Sequence, residues 1–260
     1  DTISGSGAGG RIKKKDVLAH LGSGAAAKPA PRTDSLTMSG ETEVIPFNNL
    51  RKMTAEHMVR SKATSPHVLQ AVEADFASVG RARQAVSAQW KDRQGFSLTW
   101  LPFVARAVCI AIRDFPRINA QIESESLVVH RRINLGIAVD LDFDGLVAPV
   151  VKDADRMSLP ELARAIRDVS SRARAKKLTP DDFTGGTYTI SNSGVFGTMI
   201  TAPIINQPQV AILSTDGVTK KPVVIESEDG ESIAIRPVGV LAQSFDHRAI
   251  DGAYSAAFLH

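Results

Sequence analysis

The order of apolar and polar residues predicts a chain in which helices and strands are mixed from about residue 44 onward. Apolar positions recur at helical spacing in some segments and form short β-type runs in others. The predicted helices cover residues 50–63, 78–90, 101–115, 158–177 and 251–259. The predicted strands cover residues 67–75, 133–139, 146–151, 187–190, 209–213, 222–225, 232–235 and 238–245. The pattern contains no internal repeat.

Two of the predicted helices carry recognisable end signals. The helix over 101–115 has Thr99 as a candidate N-cap and Pro102 in its first turn. This segment is apolar nearly all round, which predicts a central, buried helix. Ser158 and Glu161 have the spacing of a capping box, in which each side chain bonds the backbone N–H of the other. The helix that they open is predicted to run over residues 158–177.

The first 43 residues differ in character from the rest of the chain. Residues 1–21 offer a small apolar face, enough for one short helix. Residues 22–43 are rich in Ala, Pro, Gly and Ser without an apolar period, which is typical of a flexible linker. We therefore expect a compact domain over residues 44–260 that follows a short module and a linker.

Size and composition narrow the class of protein. The chain has 260 residues, of which 43% are hydrophobic and 23% are charged, so it is not wholly disordered and can form one sizeable core or two modest ones. Cys109 is the only cysteine, which excludes an internal disulfide and a cysteine zinc site. No apolar run approaches ~20 residues, so no transmembrane helix is predicted.

The basic excess is confined to the N-terminal part of the chain. The net charge is +3, and residues 1–40 hold six Lys or Arg against three Asp. The remaining residues carry 25 basic and 25 acidic side chains. With only 5% aromatic residues, stacking platforms for nucleic acid are not expected. The histidines lack the His-x-His and i, i+4 spacings of metal ligands, so no metal site is expected either.

A first candidate for chemistry is the segment 246–252. His247 follows an apolar strand, and Asp251 lies four residues further on, just before Gly252. Because its reference pKa lies near neutrality, a histidine at a strand end is well placed to act as a general base. Asp251 can fix a turn, cap a helix or hold a cation. The alternative interpretation is an ordinary histidine in a polar loop.

A second candidate is the Ser/Asn/Gly-rich loop over 185–197, which contains Ser191. Such a loop can present hydroxyl or backbone N–H groups to a developing oxyanion. The alternative is a tight turn in which glycine supplies positive φ and Ser and Asn bond locally. In a third segment, 201–213, Pro208 precedes a buried strand, and we interpret it mainly as a rigid entry into that strand.

Together these segments resemble one family. His-Arg-x-x-Asp-Gly at 247–252, Thr-Ile-Ser-Asn at 189–192 and Pro-Ile-Ile-Asn at 203–206 are similar to motifs of the dihydrolipoamide acyltransferases. These enzymes are the core components of the 2-oxo acid dehydrogenase complexes. The resemblance covers residues 44–260 and implies a truncated C-terminus. Residues 4–17 are similar to the C-terminal half of a peripheral subunit-binding domain, which we assign to 1–21.

The resemblance implies a fold and a mechanism. The family fold is an α/β, two-layer CoA-dependent acyltransferase sandwich, similar to chloramphenicol acetyltransferase, and it is trimeric with the active site between adjacent subunits. The family moves an acyl group between dihydrolipoyl-lysine and coenzyme A. By motif, His247 is the general base, Ser191 the oxyanion donor and Asp251 an orienting residue. Arg51 is a candidate salt-bridge partner for Asp251.

The resemblance also implies partners. Coenzyme A is a substrate, no cofactor is tightly bound, and the lipoyl-lysine arm comes from a lipoyl domain outside this chain. Arg11 and Lys14 resemble the basic surface that binds the decarboxylase or dihydrolipoyl dehydrogenase component, although a solvated helix end is the alternative. The trimer assembles into a larger core. A bacterial protein of this kind is expected in the cytoplasm, and a eukaryotic one in the mitochondrial matrix.

Two questions stay open at this stage. The motifs do not decide between acetyl, succinyl and branched-chain acyl groups, because one methylene changes discrimination by only ~1–3 kcal/mol. The other open question is the class of protein. An enzyme of the same fold could act on another small acceptor, and a non-catalytic subunit could only assemble partners. The N-terminal module disfavours the first alternative, and His247 disfavours the second.

Overall fold

The structure is a computed structural model that describes residue 3, residues 5–23, 42–228 and 230–260, with the side chains of 19–23 excepted. Most of the predicted linker over 22–43 lies outside these residues. The chain divides into two compact units, Asp1–Pro46 and Phe47–His260. No helix in the described parts of the chain is long and apolar enough to cross a membrane.

The described residues of the N-terminal unit contain one short α-helix, as predicted. A 3-10 turn at Ala8–Gly10 precedes the helix α1, Lys14–Ser23. The Asp16 carboxylate accepts bonds from the backbone N–H groups of Ser6 and Lys13 at 2.9 and 2.8 Å, and from the Ser6 hydroxyl at 2.6 Å. These bonds lower the pKa of Asp16, chiefly through the Ser6 hydroxyl.

The second unit holds five helices and eleven strands among the described residues. The helices are α2 Asn49–Thr64, α3 Ala77–Gln94, α4 Leu101–Asp114, α5 Leu159–Arg174 and α6 Gly252–Leu259. The strands are β1 His67–Asp75, β2 Ala120–Glu123, β3 Ser126–Val129, β4 Leu135–Ile137, β5 Val139–Asp140, β6 Leu146–Val147, β7 Val150–Val151, β8 Tyr188–Asn192, β9 Ala211–Thr215, β10 Thr219–Ser227 and β11 Gly230–Asp246.

Most of the strands form one mixed sheet. Its order is β1-β11-β9-β8-β4-β7, and β10 pairs with β11 outside this path. β8 runs parallel to both β4 and β9, and the other pairs in this sheet are antiparallel. Every residue of β9 is buried, as expected for a central strand covered on both faces. The central strands therefore provide a rigid frame for the loops at their ends.

The core lies between this sheet and a layer of helices. α4 contributes one buried face to it and leaves Ala107 and Ile110 outside, Ile110 at 50% exposure. The prediction of a helix buried all round is therefore wrong. Thr99 is not the N-cap, because that position falls on Trp100, which makes no side-chain cap bond. Pro102 does lie in the first turn, where its missing N–H costs nothing.

Other predictions were confirmed or needed adjustment. The capping box of Ser158 and Glu161 is present, and α5 ends at Arg174 rather than Lys177. The two strands predicted over 232–245 are one continuous strand, β11. Pro237 does not interrupt it because β1 ends opposite Val238, so Pro237 has a neighbouring strand on one side only.

Candidate functional site

His247 is the first residue after β11. Its backbone N–H donates to the carbonyl of Pro66 at 3.1 Å, which ties it to the start of β1. The side chain is 47% exposed, and its Nδ1 lies 3.6 Å from a carboxylate oxygen of Asp251. Asp251 is the N-cap of α6 and is 86% exposed. The structure thus brings these two predicted residues together and leaves the imidazole open to solvent.

The turn that carries His247 is held by one ion pair between the two residues that flank it, Asp246 and Arg248. Asp246 is 2% exposed, and its carboxylate accepts bonds from the Arg248 side chain at 2.7 and 3.0 Å and from its backbone N–H at 2.9 Å. Burial alone would raise the pKa of Asp246, but the bonds from Arg248 and Ser65 outweigh it and lower the pKa. His247 is therefore displayed on a turn of fixed shape.

A second histidine supports the same region. The Nδ1 of His67 lies 2.8 Å from the carbonyl of Ser65, and its Nε2 accepts the backbone N–H of Ile205 at 3.0 Å. A neutral ring with its proton on Nδ1 satisfies both contacts. His67 thus links the start of β1, where Pro66 binds His247, to the segment before β9. Sequence reasoning placed His67 only at a strand start, because its partner Ile205 is 138 residues away.

The third candidate segment, residues 201–213, contacts the same region through the end of α2. The Ser61 hydroxyl donates to the carbonyl of Ile205 at 2.6 Å, and the Gln207 amide donates to the Ser65 hydroxyl at 2.7 Å. The end of α2 therefore holds the chain that leads through Pro208 into β9, which supports its interpretation as a rigid entry.

Ser191 lies on β8, one residue before its end, and is half-buried. It lines a cavity of about 370 Å³. The cavity wall is about equally polar and apolar. Phe196 is one of its apolar members, and its charged members are Asp140, Asp142 and Arg174. A hydroxyl that a strand holds at the wall of a cavity can donate to a developing oxyanion.

A buried acid that sequence reasoning missed lies behind this cavity. Asp216 is 4% exposed, directly follows β9, and accepts bonds from Thr198, Thr201 and Ser214. The sequence gives no sign of this cluster, since Asp216-Gly217 looks like an ordinary turn and the threonines lie 15 and 18 residues away.

Ser191 and His247 lie far apart within the chain. Ser191 pairs with Ser214 of β9, and Ser214 pairs with Ala242 of β11. His247 follows Ala242 by five residues. At ~3.4 Å per residue this is roughly 17 Å along the strands, with two interstrand spacings of about 4.8 Å in addition. One chain therefore does not bring these two side chains to the same atom.

The other predicted site residues are Arg51, Arg11 and Lys14. Arg51 is in the first turn of α2 and makes no ion pair with Asp251 or any other residue that the structure describes. Arg11 and Lys14 are exposed in the N-terminal unit. The described residues include no group of three or more His, Cys, Asp or Glu side chains that could hold a metal ion.

The chain is similar in sequence to known proteins of one family. Residues 39–260 match the family model for the 2-oxoacid dehydrogenases acyltransferase (catalytic domain). The chain is 36% identical to the dihydrolipoyllysine-residue acetyltransferase component of the pyruvate dehydrogenase complex of Corynebacterium glutamicum, with all of this chain and 40% of that protein covered. It is 34% identical to the lipoamide acyltransferase component of the branched-chain alpha-keto acid dehydrogenase complex of Bacillus subtilis, with 100% and 65% covered. The chain thus spans between 40% and 65% of these relatives' length.

Solved structures show the same likeness. A probable dihydrolipoamide acetyltransferase from Listeria monocytogenes superposes with a TM-score of 0.80 at 38% identity, over 85% of this chain and 92% of that one. The dihydrolipoamide acetyltransferase of Azotobacter vinelandii gives 0.80 at 33% identity, over 88% and 93%. The predicted fold class, a two-layer α/β acyltransferase sandwich, is confirmed by this likeness, and a trimer fits these core structures.

Proposed function

Because this chain belongs to the family of the 2-oxoacid dehydrogenase acyltransferase catalytic domains, we propose that it transfers an acyl group between dihydrolipoyl-lysine and coenzyme A. Relatives from pyruvate, branched-chain and 2-oxoglutarate complexes all carry acyltransferase names. The observation that carries the proposal is the fixed turn that presents His247, with Asp251 beside its Nδ1 and its ring open to solvent.

His247 is the general base of the proposed reaction. A thiol attacks a thioester as its thiolate, which is scarce at neutral pH without a base nearby. The Asp251 carboxylate at 3.6 Å favours a proton on Nδ1, so the lone pair of Nε2 is free to take the proton of the thiol. The proton then returns to the departing thiolate, and the ring is neutral again at the end of the cycle.

Ser191 is the proposed oxyanion donor. Attack on the thioester carbon puts negative charge on the carbonyl oxygen, and a fixed hydroxyl at that point contributes about 3 kcal/mol. The structure of the Azotobacter enzyme was studied for the role of a serine, a histidine and an asparagine in its catalytic mechanism. We propose Ser191, His247 and Asp251 as their counterparts, with a carboxylate in this chain where that enzyme has an amide.

Two copies of the chain form each active site. The long separation of Ser191 and His247 within one chain excludes a shared target there, so the His247 of one copy faces the Ser191 of another. A trimer with head-to-tail contacts supplies three such sites. The pyruvate dehydrogenase complex has a cubic core in one similar structure, and a larger core of trimers is proposed for this protein as well.

The substrates and partners follow from the same proposal. Coenzyme A and the lipoyl-lysine arm of a lipoyl domain are both substrates, and they meet in one ternary complex. The 2-oxo acid decarboxylase and dihydrolipoyl dehydrogenase components are the proposed partners. The exposed Arg11 and Lys14 offer a basic surface for them.

Substitution of the two main residues tests the mechanism. His247→Ala is expected to reduce acyl transfer from acetyl-CoA to dihydrolipoamide by at least about 100-fold, because the base is lost. Ser191→Ala is expected to lower kcat by on the order of 100-fold with little change in KM. His130→Ala, which removes a histidine distant in sequence from both motifs, is the control and should keep full activity. Near wild-type turnover of His247→Ala would refute the base assignment.

A comparison of acyl donors tests the substrate. Rates with acetyl-, succinyl- and isobutyryl-CoA are measured with dihydrolipoamide as acceptor, and the fastest donor identifies the complex. Chloramphenicol is run beside dihydrolipoamide as a second acceptor. Transfer to chloramphenicol alone would favour an enzyme of the same fold with another acceptor, and no transfer to either would favour a non-catalytic assembly subunit.

A further inference from the structure

The buried carboxylate of Asp216 has no cationic partner among the residues that the structure describes, although it is only 4% exposed. Its charge is compensated by hydrogen-bond donors instead. Oδ1 accepts the hydroxyls of Thr198 and Thr201 at 2.5 and 2.8 Å. Oδ2 accepts the backbone N–H of Thr201 and the hydroxyl of Ser214, both at 3.2 Å. A buried carboxylate is costly unless such donors surround it, so the cluster has one favourable arrangement.

Three of these four donors belong to one loop. Thr198 and Thr201 lie in the loop that follows Ser191, whereas Ser214 lies on β9. Two further contacts seat the loop on the turn of Asp216. The backbone N–H of Gly217 donates to the carbonyl of Thr198 at 2.9 Å. A Cβ on Gly194 would lie 2.6 Å from the carbonyl oxygen of Asp216, so the two backbones touch. Asp216 therefore fixes the loop against the sheet.

The held loop forms a wall of the candidate site. Asn192 and Val195 line the cavity of Ser191, and they also line a second cavity of about 290 Å³ that contains Asp216. The segment between Ser191 and the threonines thus separates the two cavities. Its outer side chains, Val195 and Phe196, are exposed at 71% and 59%, so apolar packing inside the described chain holds them weakly. The Asp216 cluster is the main polar anchor of this wall.

We infer that Asp216 is a positioning residue, which holds the loop of residues 193–201 and thereby the wall of the cavity in which Ser191 acts. The inference rests on the proposed function only for its effect on turnover. A displaced wall would move Val195 and Phe196, which line the cavity, relative to the Ser191 hydroxyl. Displacement by about 1 Å of a group that positions substrate costs as much as ~100-fold in rate.

Asp216→Asn tests the inference with a side chain of the same shape. The amide replaces one acceptor oxygen by an NH2 donor. At the Oδ2 position this donor faces the backbone N–H of Thr201, which cannot accept a bond, and at the Oδ1 position the hydroxyls of Thr198 and Thr201 must turn from donating to accepting. We expect kcat to fall by about tenfold or more, with the KM of acyl-CoA changed less than about threefold, while the far-ultraviolet circular dichroism spectrum is retained. Asp181→Asn is the matched control, because Asp181 is an exposed carboxylate paired with Lys152, and it should leave kcat unchanged.

A second pair of variants tests the inference even if the Asp216→Asn protein does not fold. Thr201→Val removes one hydroxyl donor at nearly constant volume, and Thr201→Ser keeps the hydroxyl. A positioning role predicts reduced kcat in Thr201→Val and recovery in Thr201→Ser. Equal kcat in the two variants would overturn the inference, because it would show that the bond to Asp216 does not matter for turnover.

Hydrogen–deuterium exchange gives a readout that does not depend on activity. In Asp216→Asn, the amides of residues 193–201 are expected to exchange faster than in the wild type, while those of β8 and β9 stay protected. Unchanged exchange in the loop would overturn the inference even if the wild type is an active acyltransferase. Faster exchange with unchanged kcat would also overturn it, because the anchor would then be purely structural. A wild-type protein without transfer activity would refute the proposed function and, with it, the effect on turnover.

Discussion

At the scale of single residues, the site depends on side chains whose partners are distant in sequence. The Pro66 carbonyl holds the backbone of His247, and His67 reaches Ile205. The motif His-Arg-x-x-Asp-Gly was enough to single out His247 and Asp251, because both lie within one turn of chain. It could not reveal His67 or Asp216, since their roles depend on contacts that only the folded sheet creates.

Asp246 leads to a prediction about pH. Its pKa is lowered from 3.8 by Arg248 and Ser65 despite its burial, so its carboxylate stabilises the folded state at every pH above that value. As the pH falls below 3.8 and through the lower folded-state pKa, this contribution is lost. Asp246→Asn should therefore destabilise the protein by about 1–3 kcal/mol at pH 7 and by less near pH 2.

Urea unfolding of both proteins at the two pH values measures this difference. Asp168→Asn provides a control, because Asp168 forms an exposed i, i+4 pair with Arg172 that should contribute little at either pH. A destabilisation by Asp246→Asn that is the same at pH 2 and pH 7 would contradict the assignment of the effect to the charged carboxylate.

At the scale of elements, local signals predicted the type of α2 to α6 and of the strands in the large sheet, but they missed the short pair β2 and β3. Packing decided where each element ended. The Ser158 capping box is formed entirely by neighbouring residues, so its pattern was sufficient. The apolar sequence of α4 could not show that Ile110 faces outward, because this depends on which side the sheet covers. The continuity of β11 through Pro237 depends on where β1 ends, which no local pattern contains.

The capping box itself gives a prediction at this scale. The Ser158 hydroxyl and backbone N–H each bond the Glu161 carboxylate, at 2.6 and 2.8 Å, and Ser158 caps the first turn of α5. Ser158→Ala is expected to lower the free energy of unfolding by about 1 kcal/mol. Ser87→Ala, an exposed position inside α3, should change it by less than about 0.5 kcal/mol. Equal stabilities of the two variants in urea would show that the box contributes nothing.

At the scale of the whole molecule, the fold explains why one chain alone cannot form the proposed site. β8 and β11 are separated by β9, and Ser191 and His247 lie at different levels along these strands. The family resemblance predicted a site shared between subunits, and the sheet register supplies an independent physical reason for it. The acyl group, by contrast, depends on the shape of a cavity that a second copy completes in the proposed trimer, and for this reason the sequence of one chain did not identify it.

Mixed assemblies of two inactive variants test the shared site directly. His247→Ala and Ser191→Ala chains with different tags are co-expressed, and assemblies that carry both tags are purified. In a head-to-tail trimer, a His247→Ala chain still supplies its serine and a Ser191→Ala chain its histidine. Random mixing therefore restores about a quarter of all sites, which is one of the three sites in each trimer that contains both chains. The mixed assemblies should therefore transfer acyl groups faster than either variant alone.

If Ser191 and His247 of the same chain acted together, every site would lack one of the two groups, and mixing would recover no activity. Assemblies of His247→Ala carrying both tags provide the baseline, and activity no higher than this baseline and that of Ser191→Ala would refute the shared site.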